Sequence, residues 1–125
     1  MLYQDLTPTI TDVVGTPLFW SHAPATPDKL TTVYEYPGDS PVYSKTAMEW
    51  ERPRIQVVTR ALTYAEAMQM AEDLYGVLGN LRRATLNGTF YDSIRANQRP
   101  FADPNGRDDK GRFRVFCNYA IKKAP

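Results

Sequence analysis

Side chains able to do chemistry are few in this sequence and poorly placed to cooperate. His22 is the only histidine, and the proline-rich segment around it holds no cysteine, and no serine in a nucleophile-elbow setting, for it to activate. Its neighbours fit an exposed or capping histidine. Cys117 is the only cysteine, which excludes an internal disulfide and any cysteine-rich metal site. It stands in the middle of an alternating strand pattern, so its thiol is expected to face inward as a small core residue. Asp103, Asn105, Asp108 and Asp109 concentrate oxygen ligands in one loop as a calcium site would. The glycine, however, falls at the fourth position of that loop instead of the sixth, and no glutamate closes it. A solvated hairpin tip explains the same residues. Asn87-Gly88-Thr89 matches a glycosylation acceptor, but no basic start and apolar stretch precede it at Met1-Leu2-Tyr3-Gln4-Asp5, so it reads as a turn in a soluble, intracellular chain. No glycine-rich phosphate loop, zinc spacing or apolar run of membrane length is present. The residues assemble no catalytic, metal or cofactor site, and no membrane partner is expected.

Nucleic acid is the remaining small-scale chemistry. Arg95, Arg99, Arg112, Arg114 and Lys122 can share the outer face of a C-terminal hairpin, with Tyr91 and Phe116 interleaved, as a single-strand stacking platform requires. Solvent-facing and edge strands carry the same residues simply to stay soluble and unpaired. The net charge of +1 conceals an uneven distribution. Residues 1 to 81 hold five bases against ten acids, whereas residues 82 to 125 hold ten bases against four acids. Such asymmetry suits a basic surface meeting nucleic acid, or opposite surfaces on successive copies of the chain. It also vanishes if the fold interleaves the two halves.

The elements that position these residues are organised around the stretch Arg54 to Leu81. Arg54-Ile55-Gln56-Val57-Val58-Thr59-Arg60 is a β-branched strand with charged ends. Thr63-Tyr64-Ala65-Glu66 follows with the spacing of a capping box, which predicts a helix beginning there. Ala67, Met70, Ala71, Leu74, Leu78 and Leu81 recur at steps of three and four, opposite Glu66, Gln69, Glu72 and Asp73. Burying Leu74 and Leu78 contributes roughly 1.5 to 3 kcal/mol each, more than any surface pairing on that helix. Gly76 and Gly79-Asn80 predict a left-handed stop, giving a helix over about 63 to 79.

Before this stretch, five prolines and glycines between Pro8 and Pro27 predict an irregular N-terminal segment over 1 to 27, anchored by Leu18-Phe19-Trp20 onto the body or a neighbouring subunit. Leu30 to Tyr36 predicts a strand stopped by Pro37-Gly38-Asp39-Ser40-Pro41. Residues 37 to 53 predict a long loop in which Trp50, between Glu49 and Glu51, buries its ring. After the helix, Asn87-Gly88 predicts a hairpin between strands at Arg83 to Leu86 and Thr89 to Asn97. A polar turn over 100 to 111 leads to the clearest strand, where Phe113, Val115, Cys117, Tyr119 and Ile121 alternate with Arg112, Arg114, Asn118 and Lys122. The 125 residues fit one domain, with an α+β body over 28 to 123: a two-layer arrangement of about four antiparallel or mixed strands on one main helix.

Several of these pieces occur in an order that carries a resemblance. Tyr34-Glu35-Tyr36-Pro37-Gly38, then Pro53 to Arg60, Thr63 to Ala67, Asn87-Gly88-Thr89-Phe90-Tyr91, Ile94 to Pro100 and a final strand ending Asn118-Tyr119-Ala120-Ile121-Lys122 together resemble the tail-terminator, minor capsid or tail-completion proteins of long-tailed bacteriophages. The resemblance covers about residues 27 to 123. It implies a structural virion protein without an active site, made in the host cytoplasm and placed in the tail or neck. It also implies a homo-oligomeric ring, typically of six subunits, that caps the tail tube and joins it to the head connector. Its partners would be its own copies, the tail tube protein and the connector, with non-specific contact to DNA in the lumen. Candidates for those contacts are Trp20, Glu49, Trp50, Glu51, Arg95, Arg99, Arg107, Asp108, Asp109, Arg112 and Arg114. The sequence departs from the family's usual pattern in its proline-broken N-terminus, where an amphipathic helix is expected, and in the acid-rich loop over 103 to 111.

Overall fold

A computed structural model describes residues 1–125 and places two helices on one face of a curled sheet of seven strands. In chain order these are α1 (Leu2–Val14), β1 (Leu18–Trp20), β2 (Leu30–Tyr43), β3 (Met48–Ala61), α2 (Tyr64–Leu78), β4 (Arg82–Leu86), β5 (Thr89–Ala96), β6 (Phe101–Ala102) and β7 (Phe113–Lys123). The strand order is β1-β2-β3-β7-β5-β4, with β6 pairing the start of β7; only the β1–β2 pair is parallel. No helix is long and apolar enough to cross a membrane.

The body follows from the periodicities. Val115, Cys117, Tyr119 and Ile121 face inward along β7, and Cys117, Tyr119 and Ile121 share one core with Leu74 and Leu78 of α2. Val115 meets Ala61, Ala67 and Ala71 in a smaller cluster, where short side chains bring helix and sheet close. Helix α2 starts as its capping residues require: Thr63 Oγ1 accepts from the Glu66 N–H at 3.2 Å. The Glu66 carboxylate completes the box differently, accepting the Thr63 hydroxyl at 3.2 Å. Asn87 (φ 49°) and Gly88 (φ 83°) form the turn with two left-handed residues that joins β4 to β5.

Four expectations change. First, residues 1 to 27 are not irregular throughout: α1 runs through Pro8 and β1 follows, leaving only 15 to 17 and 21 to 27 irregular. An internal proline costs a helix about 3 kcal/mol, and burial of Leu2, Leu6 and Ile10 at four-residue steps offsets it at roughly 1.5 to 3 kcal/mol each. Second, residues 37 to 53 are not a loop. β2 and β3 continue as one hairpin to Tyr43 and Met48, with register shifts between Tyr36 and Tyr43. Pro37 and Pro41 are tolerated because β1 covers only Thr31 to Val33, leaving the rest of β2 an edge. Third, α2 does not stop in a left-handed residue. Gly79 is right-handed (φ −65°), and side chains close the last turn instead: Asn80 Nδ2 donates to Gly76 O at 2.9 Å, and Arg82 donates to Gly79 O at 3.3 Å. Fourth, the sheet has seven strands instead of about four, and α1 shares its covered face with α2. The unexpected strands are β1 and β6, which are too short to show a period; β2, β3, β4, β5 and β7 stand where strands are expected, β2 and β3 longer than their signals.

The register puts Tyr34, Tyr36, Arg54, Gln56, Val58, Phe116, Asn118, Ala120 and Lys122 on the face away from the helices. At one end of it the buried Arg60 guanidinium donates to the carbonyls of Pro24, Pro27 and Asp28, tying the connection between β1 and β2 to the sheet.

Candidate functional site

No three His, Cys, Asp or Glu side chains lie close enough to hold a metal ion. His22 lies exposed at the end of β1, its Nδ1 3.2 Å from Trp20 O and its ring edge-on to Phe19. Cys117 is buried, its Sγ 3.4 Å from Gln98 O, and burial pushes the thiol pKa up. Burial likewise pushes up Tyr119 and Tyr91, the latter reinforced by its bond to Asp5. Each of these shifts keeps the group in its neutral form.

What remains is surface, and ion pairing decides its character. Arg112, expected on an outer face, is buried; its Nε donates to Asp108 at 2.8 Å and its Nη1 lies 3.6 Å from Asp28. Burial alone would raise the Asp108 pKa, but hydrogen bonds from the Arg112 N–H and guanidinium and the Lys110 N–H outweigh it and hold the carboxyl below its usual value. Arg114 pairs with Asp103, and Lys122 lies 3.8 Å from Asp92. Arg99 donates to Glu72 at 2.6 Å and lies over the Tyr75 ring. The hairpin read as a basic stacking platform is therefore largely neutralised by acids from both halves of the chain. This is the interleaving that a half-by-half charge count cannot see.

The remaining expected contact residues divide by environment. Trp20 is half-buried against the core, with Nε1 donating to Thr7 Oγ1 at 3.0 Å and Tyr3 edge-on to its ring, so it fastens α1 to the sheet. Trp50 is half-buried beside Phe90 with Lys122 Nζ 4.9 Å from its ring centroid, and Glu51 accepts from the buried Lys123 at 2.7 Å. These two contacts hold the part of β3 near the hairpin's tip against β5 and the end of β7. Glu49 and Asp109 are exposed without a basic partner; Arg107 is exposed over the Phe113 ring, 4.9 Å from its centroid. Arg95 is exposed and has no carboxylate partner.

Two features went unread in the sequence. One is the outer half of the β2–β3 hairpin, residues 35 to 54, an arm that contributes nothing to the core. It is stiffened by the Arg54–Asp39 pair at 3.2 Å and by Arg52 Nε donating to Ser40 O at 2.7 Å. The other is Asp5, buried under α1, where it accepts from the Tyr91 hydroxyl at 2.7 Å. The steps Leu2, Leu6, Ile10 were the signal for α1, hidden by Pro8. Nothing local marks the arm.

Comparison with known proteins agrees with a structural role. A family model described as bacteriophage tail terminator protein matches residues 4–124. No curated protein matches. Among solved structures, a chain in the virion of a native gene transfer agent particle superposes with TM-score 0.60 at 20% identity, over 99% of this chain and 92% of that one. A second solved chain superposes with TM-score 0.56 at 15% identity, again over 99% and 92%. At such identities the superpositions show a shared fold.

Proposed function

This chain belongs to the bacteriophage tail terminator family, whose members are structural virion proteins and not enzymes, and on that premise we propose that its copies close into a ring, six in number, that ends the tail tube and joins it to the head connector. The family match over residues 4–124 carries this reading, because it spans α2, every strand and all but the first two residues of α1. The surface supports it in a second way. A head-to-tail ring needs two unlike patches on each subunit. Here one end of the sheet extends into the exposed arm, while the other ends in the short edge strand β4 with Arg82 and Arg83 exposed. Glu49 and Tyr43 near the arm's tip are free to reach the tube or a neighbouring copy, and Arg107 and Asp109 on the polar loop are free to meet the connector. On this reading the protein sits in the neck of the virion.

The test is electron microscopy of particles assembled without this protein, together with light scattering of the purified chain. The expected defects are tubes of uncontrolled length or heads without tails, and a scattering mass several times that of one 14.2 kDa chain. A chain that stays monomeric at high concentration and never enters tails would overturn the reading.

A further inference from the structure

Once the ion pairs are assigned, the positive charge left over is not where the sequence put it. Arg112, Arg114, Lys122 and Lys123 all pair with carboxylates. Six exposed bases do not: Lys45 on the arm, Arg107 and Lys110 on the polar loop, and Arg82, Arg83 and Arg95, the last three gathered at the β4–β5 end of the sheet. Arg82 and Arg95 wall a cavity of about 310 Å³ together with Tyr75, Gly79, Asn80 and Ala96, at the C-terminal end of α2; Arg83 is the next residue along β4.

A helix C-terminus ordinarily repels anions, because its last carbonyls are unsatisfied. Here Asn80 Nδ2 covers Gly76 O, and Arg82 covers Gly79 O while also donating to Leu81 O and Ile94 O at 2.7 Å. The opposite wall is a strand edge. The Ile94 N–H donates outward to Leu81 O and the Asn97 N–H inward to Asn118 O, so strand alternation turns the Ala96 N–H outward as well, towards the cavity. The corner thus presents guanidinium donors and one backbone donor. No Asp or Glu side chain lines it.

We propose that this corner is a docking surface for the phosphate backbone of duplex DNA. Three bases spread along one edge suit a row of repeating charges better than a single bound ion. The same charge inventory argues against a second copy as occupant. The carboxylates without a basic partner, Asp12, Glu35, Glu49, Asp73 and Asp109, are divided among α1, the arm, α2 and the polar loop instead of gathered on one element. The proposal rests on the ring reading only in that a ring around the tail passage would bring DNA to such a surface.

The experiment titrates the full chain against a fluorescein-labelled duplex of mixed sequence, and separately against inorganic phosphate, over a series of salt concentrations. The variants are Arg83→Gln/Arg95→Gln and, as a control for net charge, Lys45→Gln on the arm. Arg82 is left intact because it closes α2. Each sample is also followed by light scattering. The double variant is expected to lower the slope of log affinity against log salt by about 2, with Lys45→Gln leaving it unchanged and the scattering mass unaltered. The proposal is overturned if the folded parent chain does not bind duplex at low salt, if only inorganic phosphate binds, or if Lys45→Gln lowers the slope as much. It is also overturned if the double variant loses self-association instead of DNA binding, which would make the corner an interface between copies. A parent chain that binds duplex as a monomer would remove the ring reading while sustaining this one.

Discussion

The inner and outer halves of the β2–β3 hairpin are built from the same materials and do different work. Both carry β-branched and aromatic residues, arginines and long antiparallel pairing. In the inner half Val33, Ile55 and Val57 lie under α1 and α2 and are at most 3% exposed. In the outer half no side chain joins the core, and Tyr36 and Tyr43 are 47% and 64% exposed. The inner half draws its stability from buried area, the outer half from its own ladder, a few polar clamps and the contacts of Trp50 with Phe90 and of Glu51 with Lys123. A hairpin becomes an arm where its side chains leave the core.

The sharpest way to break this contrast is to weaken the covered side. Leu74→Ala should cost about 2 to 5 kcal/mol, because Leu74 is fully buried between sheet and α2; the urea midpoint measures it. A loss comparable to that of an arm substitution would erase the distinction. Gly38→Ala attacks the arm itself. Gly38 has φ +74°, and an added Cβ would sit 2.2 Å from Arg52 O. The expected cost is about 1 to 3 kcal/mol, read by hydrogen exchange as faster opening of amides over 36 to 53 with those of β7 still protected.

Asp108→Asn sharpens the contrast in a third place, where a polar clamp supports the body. A folded-state carboxyl pKa held below its unfolded value of about 3.9 contributes stability above that value, and the contribution is lost as pH falls through the folded pKa. The variant should therefore melt below the parent chain near pH 7, and the difference in Tm should shrink on acidification. A difference that widened towards low pH would contradict the Arg112–Asp108 clamp. The smallest expected effect on folding is Tyr43→Ser, within about 0.5 kcal/mol by thermal unfolding, since the ring touches no core. The same variant should reduce the scattering mass if the arm joins copies.

The particular residues show how far sequence carried. Thr63 and Glu66 announced α2, Asn87-Gly88 announced the β4–β5 turn, and Val115, Cys117, Tyr119 and Ile121 announced the buried side of β7. Each signal acts within a few residues, through a local hydrogen bond, a backbone angle or a short period. Pro8 and the Pro37 to Pro41 run misled because a proline's cost is local, while the burial and the free strand edge that accommodate it are not. Among the contact candidates, Trp20, Glu51, Arg99, Asp108, Arg112 and Arg114 are held by partners within the chain, several of them distant in sequence, as Arg112 is to Asp28 and Glu51 to Lys123.

Taken alone, then, the sequence determined the α2-on-sheet body, the placement of its core side chains and the order of pieces shared with tail terminators. Only the tertiary structure decided that α1 exists, that 35 to 54 is an arm, and that the bases of β7 are neutralised while Arg82, Arg83 and Arg95 gather unpaired at one corner. The reason is one of range: periodicity and capping are settled between near neighbours, whereas burial and charge neutralisation depend on which distant residues the sheet brings alongside.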